Sequence, residues 1–227
     1  MPLKYFSTAF RIVKMDISLR SGFNQSTILE SGLAPRALQN LALSLEIIGF
    51  GALSGAVEAN ALASLKREAA QRRAGARLVY GTKPCLHSAC LAGLGNAGFE
   101  FLHGRLIQNV LYALFNEPLE LEEGASCYTY YSAGDCLGPH LDHPRQCAVT
   151  VILYVDVRTP ARKAADTGLQ LRILENDDGG PGPIRAALRT ELGGILVGLG
   201  SEHWHERPRL RAGERLTALT ACFSLRP

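Results

Sequence analysis

No stretch of this 227-residue chain approaches the roughly 20 consecutive apolar residues that a membrane-spanning helix requires, so no membrane role is expected. Basic charge is also thinly spread. The formal net charge is +3, and no basic block is flanked by stacking aromatics, which argues against nucleic acid as a partner. The densest basic stretch is Arg207, Arg209, Arg211 and Arg215, and its first three members read as a solvated turn. Cysteine spacing is equally uninformative: Cys85, Cys90, Cys127, Cys136, Cys147 and Cys222 form no C-x-x-C pair. A chain of this length needs no disulfide framework, so reduced thiols in a cytoplasmic protein are the expectation. Internal repeats, low-complexity tracts and the H-E-x-x-H of a zinc hydrolase are all lacking. What is present is 47% hydrophobic and 20% charged residues, an ordinary globular composition able to bury a core.

Residues 1–45 read as an N-terminal arm and helix, and 46–227 as one domain. The first 26 residues carry Lys4, Arg11, Lys14 and Arg20 against Asp16, a weak likeness to an organellar transit peptide. A loosely docked arm is the simpler expectation. Apolar residues recur at helical spacing from Ile28 to Ile48, interrupted by Pro35, and again over Val57–Arg73 and Leu106–Phe115. After Glu123 the segments shorten, become rich in Val, Ile, Thr and Tyr, and are separated by Gly, Pro and Asp. Strands are expected near 126–132, 138–142, 147–156, 168–174, 184–190, 194–199, 203–207 and 214–223, with a turn region at 176–183. Short strands following a helical half predict a mainly β chain with N-terminal helices (α+β), built as a jelly-roll barrel. Alternation along 147–156 puts aliphatic Val149, Val151, Leu153 and Val155 on one face, suited to lie under helices. Ala148, Thr150, Ile152 and Tyr154 take the other face, suited to line a cavity.

Four of the six histidines fall in two tight clusters, Pro139–His143 and His203–His205. On a strand, His140 and Asp142 share a face about 6.6 Å apart, close enough to chelate one ion. A third ligand from a distant strand would complete two imidazoles and one carboxylate on one face of an octahedron, the donor set of a non-haem iron(II) oxygenase. His203 and His205 share a face, so periodicity does not choose between them. His143 points away from Asp142 and is assigned to the mouth. Arg215 and Thr217 share a face with Leu219, Ala221 and Phe223, and an inward guanidinium needs an anionic partner.

The run from Tyr130 to Asp142 resembles the first metal motif of the prolyl-hydroxylase-like branch of the 2-oxoglutarate/iron(II) oxygenases, whose fold is a double-stranded β-helix. His205-Glu206-Arg207-Pro208 through Gly213-Glu214-Arg215-Leu216-Thr217 resembles its second motif. Gly168–Ile173 and Gly49-Phe50 add weaker likenesses, and the whole spans roughly residues 46–225. In that family the distal His precedes a carboxylate-binding Arg or Lys by about ten residues, as His205 precedes Arg215 here. That spacing favours His205 over His203. The resemblance implies iron(II) held by His140, Asp142 and His205, and 2-oxoglutarate and O2 as co-substrates. It further implies that the far carboxylate of 2-oxoglutarate meets Arg215 and Thr217, with Tyr154 as a hydroxyl donor and Tyr130 lining the site.

The activity so implied is hydroxylation of an unactivated C–H bond. A carboxylate at Asp142, where related halogenases carry Gly or Ala, favours hydroxylation over halogenation, and the resemblance leaves desaturation and ring closure open beside it. A small-molecule substrate is expected, an amino acid or a natural-product intermediate, with Arg145, Arg172 and His143 as candidate contacts. Peptidyl-proline is the variation within the class. A cupin-type metal dioxygenase and a non-catalytic jelly-roll binding protein are the rivals. Nothing in the sequence fixes the oligomeric state.

Overall fold

The computed structural model describes residues 33–82, 85–160 and 167–225, so the basic N-terminal arm lies outside the described residues. Helix α1 (Pro35–Ile48) starts with proline in its first turn, where the missing N–H costs nothing. It ends at Gly49, whose φ of 75° lets its N–H close on the Leu45 carbonyl. Leu38, Leu41 and Leu45 form its buried stripe, and the expected division between 45 and 46 falls inside this helix. The other helices are α2 (Ala59–Arg72), α3 (Asn96–Leu102) and α4 (Arg105–Phe115). The Glu68 carboxylate on α2 accepts hydrogen bonds from the N–H groups of Gly95, Ala97 and Gly98, capping α3 and tying the two helices together.

The strands are β1 (Phe50–Leu53), β2 (Arg77–Gly81), β3 (His87–Gly93), β4 (Leu119–Leu121), β5 (Cys127–Tyr131), β6 (Cys136–His140) and β7 (Val149–Arg158). They continue as β8 (Gln170–Asp177), β9 (Gly180–Arg189), β10 (Ile195–Gly198), β11 (His205–Arg207) and β12 (Arg215–Leu225). All eight strands expected after Glu123 are present. Their order is β1-β10-β7-β12-β5-β3-β6-β11-β8-β9, with β2 on β3 and β4 on β12. Strand β3 turns the corner: Cys90–Gly93 pair with β5, and His87 and Ser88 pair with β6. The result is a nearly closed antiparallel barrel, the jelly roll expected from the sequence. Among the described residues no helix is long and apolar enough to cross a membrane.

The core has two layers, and this decides which side chains reach the site. Val149, Val151, Leu153 and Val155 of β7 pack with Leu219, Ala221 and Phe223 of β12 against the helices. Ile152, Tyr154, Leu171, Ile173, Leu216 and Ala218 fill the barrel interior. The alternation of β7 is therefore as read from the sequence. The turn region is much tighter than expected: Asp178 (φ 48°) and Gly179 (φ 83°) make a two-residue hairpin turn, and 180–183 belong to β9. Pro181 and Pro183 are tolerated because β9 is an edge strand.

Candidate metal centre

Strands β6 and β11 are antiparallel neighbours, and their register sets His140 directly opposite His205. Directly opposed residues project to the same side of a sheet, so the two rings meet, with centroids 4.1 Å apart. Asp142 follows β6, and its N–H donates to the Gly200 carbonyl at 2.9 Å. One carboxylate oxygen, Oδ1, then lies 3.5 Å from His140 Nε2 and 3.8 Å from His205 Nε2. Ligand atoms of the three residues all lie within 4.8 Å of one another.

The surroundings leave the right atoms free. His140 Nδ1 lies 2.9 Å from the Gly138 carbonyl, and His205 Nδ1 lies 2.9 Å from the His203 carbonyl. A carbonyl can only accept, so each Nδ1 carries the proton and each Nε2 keeps its lone pair for a metal. The Thr150 hydroxyl donates to the other oxygen of Asp142. Gly200 permits this arrangement, since a Cβ there would overlap both Asp142 Oδ2 and Thr150 Oγ1. Burial and then the neighbouring His140 push the pKa of His205 down to about 4, keeping it neutral. Burial works against the Asp142 carboxylate, but the two imidazoles beside it and the Thr150 hydroxyl outweigh it and hold its pKa below the ordinary value. Two imidazoles and a carboxylate whose ligand atoms converge in this way fit a divalent transition metal.

His203 does not join this set. It precedes β11, and its ring occupies the space that a Cβ on Gly49 would need. His205 was the residue favoured by spacing.

The expected carboxylate cradle is where the structure corrects the sequence reading. Arg215 is 47% exposed and lies 3.6 Å from Asp156 on the outer surface. Thr217 is buried, but it pairs with Tyr130 and shares the helix-side face with Leu219. Tyr130 likewise points to the helices, where its hydroxyl donates to the Ala69 carbonyl at 2.7 Å. Its neighbour Tyr131 takes the cavity side instead.

The buried arginine of the cavity is instead Arg207. It is 3% exposed, contrary to the solvated turn expected, and lines the cavity with His140, Asp142 and His205. Its guanidinium donates to Tyr154 Oη at 2.9 Å, Thr190 Oγ1 at 3.0 Å and the Gln170 carbonyl at 3.3 Å. It lies 5.6 Å and 5.3 Å from the ring centroids of Tyr131 and Tyr154. All three acceptors are neutral, and among the described residues no carboxylate lies within ion-pair distance. A buried cation without a counter-charge marks a place for an anion.

The candidate substrate contacts separate. His143 and Arg145 are exposed on the loop after Asp142. Arg172 turns away from the cavity, because its neighbours Leu171 and Ile173 point inward, and it donates to Glu206 at 3.2 Å. His87, missed in the sequence, sits directly opposite Leu137, a cavity-lining residue, and so faces the same side. Its Nε2 is buried without a hydrogen-bond partner among the described residues, and burial followed by His140 lowers its pKa.

The sequence matches no protein-family model, and no curated protein is significantly similar to it. Solved structures do match. A prolyl-4-hydroxylase from Pseudomonas putida superimposes with a TM-score of 0.61 at 20% identity, covering 84% of this chain and 100% of that one. A prolyl hydroxylase in complex with a hypoxia inducible factor oxygen degradation domain peptide fragment from Trichoplax adhaerens gives 0.63 at 14%, covering 88% and 93%. The chain has the fold of the 2-oxoglutarate/iron(II) oxygenases. A third structure of this fold, the epimerase SnoN in complex with Fe3+, alpha ketoglutarate and nogalamycin RO, gives 0.62 at 16%, covering 86% and 88%. The fold thus serves both peptide and small-molecule chemistry, and the assignment of this chain's reaction rests on its own site.

Proposed function

We propose that this protein is an iron(II)- and 2-oxoglutarate-dependent oxygenase acting on a C–H bond of a small molecule. The observation that carries the reading is a three-residue metal set and an uncompensated guanidinium on the same wall of one cavity. His205 and Arg207 are two residues apart on β11, hence about 7 Å apart on one face. A five-carbon dicarboxylate, four C–C bonds of roughly 1.5 Å each, spans a comparable distance. When bound, iron(II) supplies oxidation of an unactivated C–H bond by O2, coupled to conversion of 2-oxoglutarate to succinate and carbon dioxide.

The chain's own residues divide the remaining work. His140, Asp142 and His205 hold the metal. Arg207 holds the far carboxylate of 2-oxoglutarate in place of Arg215, and Tyr154 and Thr190 orient its planar fork. Tyr131, Leu137, Ile152 and Leu171 wall the cavity with apolar surface and keep water from the co-substrate. His87 offers an uncommitted buried nitrogen on the cavity side for a substrate oxygen, and replaces Arg145 and Arg172 as the leading substrate contact. A cupin-type metal dioxygenase that does not use 2-oxoglutarate leaves the charge of Arg207 unexplained.

The test is anaerobic addition of iron(II) and then 2-oxoglutarate to the metal-free protein. A weak visible charge-transfer band that needs both components, and is absent in Asp142→Ala, is expected. A folded wild-type protein that gives no band would refute the proposal. A screen of free amino acids for stimulated succinate release then addresses the substrate.

A further inference from the structure

The thiols do not all remain reduced as the sequence suggested: Cys147 and Cys222 are joined by a disulfide spanning 75 residues, while Cys85, Cys90, Cys127 and Cys136 are free. The pairing depends on the β7–β12 register, which sets Cys222 opposite Thr150 and brings the segment just before β7 alongside. We propose that this disulfide is a redox-sensitive positioning element for the metal centre, acting through Thr150 on the Asp142 carboxylate. The inference rests on the oxygenase reading of the site.

Three contacts carry it. Cys147 Sγ lies 3.4 Å from Thr150 Oγ1. A disulfide sulfur has no proton to give, and the single hydroxyl proton of Thr150 is committed to Asp142 Oδ2. The sulfur therefore acts as a fixed wall behind the hydroxyl. Cys222 lines the metal cavity itself, so a small reductant entering the cavity meets this sulfur without unfolding the barrel. Both cysteines are otherwise buried, at 3% and 8% exposure, so two unbonded thiols must find room by moving toward Thr150 or into the cavity.

The chemistry is a thiol–disulfide exchange. A dithiol attacks the Cys147–Cys222 bond, becomes a cyclic disulfide, and leaves both electrons and both protons on the two cysteine sulfurs. The reduced protein keeps all three metal ligands but loses the wall that fixes Thr150. Groups that orient metal ligands typically govern affinity by 10–100-fold on deletion, so loosening one is expected to weaken iron(II) binding by about three- to tenfold.

The experiment compares wild-type protein as isolated under air with protein reduced by a phosphine that is then removed. Denatured samples should show four free thiols before reduction and six after it. Iron(II) affinity, read anaerobically from the band with 2-oxoglutarate, should fall about three- to tenfold on reduction. The fall should persist in Thr150→Ser, which keeps the hydroxyl, and vanish in Thr150→Val, a discrimination that a merely structural disulfide would not produce. Equal affinities for the oxidised and reduced wild type, six thiols in the isolated protein, or an unchanged response in Thr150→Val would each overturn the inference. Absence of the band in the oxidised wild type would instead overturn the oxygenase reading, and this inference with it.

Discussion

Replacing Arg207 with methionine removes the buried guanidinium while keeping most of its volume. The residue touches no metal ligand by hydrogen bond; its donors go to Tyr154, Thr190 and the Gln170 carbonyl. Metal affinity should therefore be nearly unchanged. A charged hydrogen bond to a carboxylate contributes about 1.5–3 kcal/mol. At about 1.4 kcal/mol per decade, the apparent Kd for 2-oxoglutarate should rise roughly 10- to 100-fold. Arg215→Ala should stay within about threefold of wild type, since that side chain is 47% exposed beside Asp156. The assay is anaerobic titration of the iron(II)-loaded protein with 2-oxoglutarate, with iron binding and thermal unfolding measured on the same samples. If Arg207→Met bound the co-substrate normally while Arg215→Ala lost it, the assignment drawn from burial would be wrong and the family spacing right.

Gly200→Ala inserts a methyl where Asp142 Oδ2 and Thr150 Oγ1 already meet, and should reduce iron(II) affinity by about 10- to 100-fold by displacing the carboxylate, checked by metal titration. Tyr154→Phe deprives one guanidinium N–H of its acceptor and should weaken 2-oxoglutarate binding by about tenfold without weakening iron; equal loss of both would point to misfolding. Metal-free protein should lose stability on acidification. His205 titrates near 4 when folded and near 6.5 when unfolded, so between those values the unfolded chain takes up a proton that the folded chain refuses. Stability is whole above about pH 6.5 and falls by up to about 3 kcal/mol as the pH approaches 4. Urea midpoints should show this, with a shallower pH slope in His205→Asn.

The alternation of β7 and the helical stripe of α4 were legible because local periodicity alone determines them. The candidate metal set was legible for a related reason: His140 and Asp142 are neighbours in sequence, and His205 lies on the strand that pairs with β6. Arg215 and Thr217 were misplaced because apolar Leu219, Ala221 and Phe223 were taken to mark the interior. They do mark a core, but this molecule has two, and theirs lies under the helices. The adjacent buried pair Tyr130 and Tyr131 carries the same ambiguity, since either alternation buries a tyrosine. Arg207 did have a usable signal, its two-residue offset from His205, obscured by the exposed arginines that follow. The disulfide and the seating of β3 against β5 and β6 depend on pairings between distant segments, which no local pattern encodes.

The most direct test is a crystal structure of the protein prepared anaerobically with iron(II) and 2-oxoglutarate, with the metal located by anomalous scattering at the iron edge. The expected result is one ion bounded by His140 Nε2, an Asp142 oxygen and His205 Nε2, with the far carboxylate of the co-substrate on Arg207. An ion held elsewhere, or a carboxylate seated on Arg215, would contradict it.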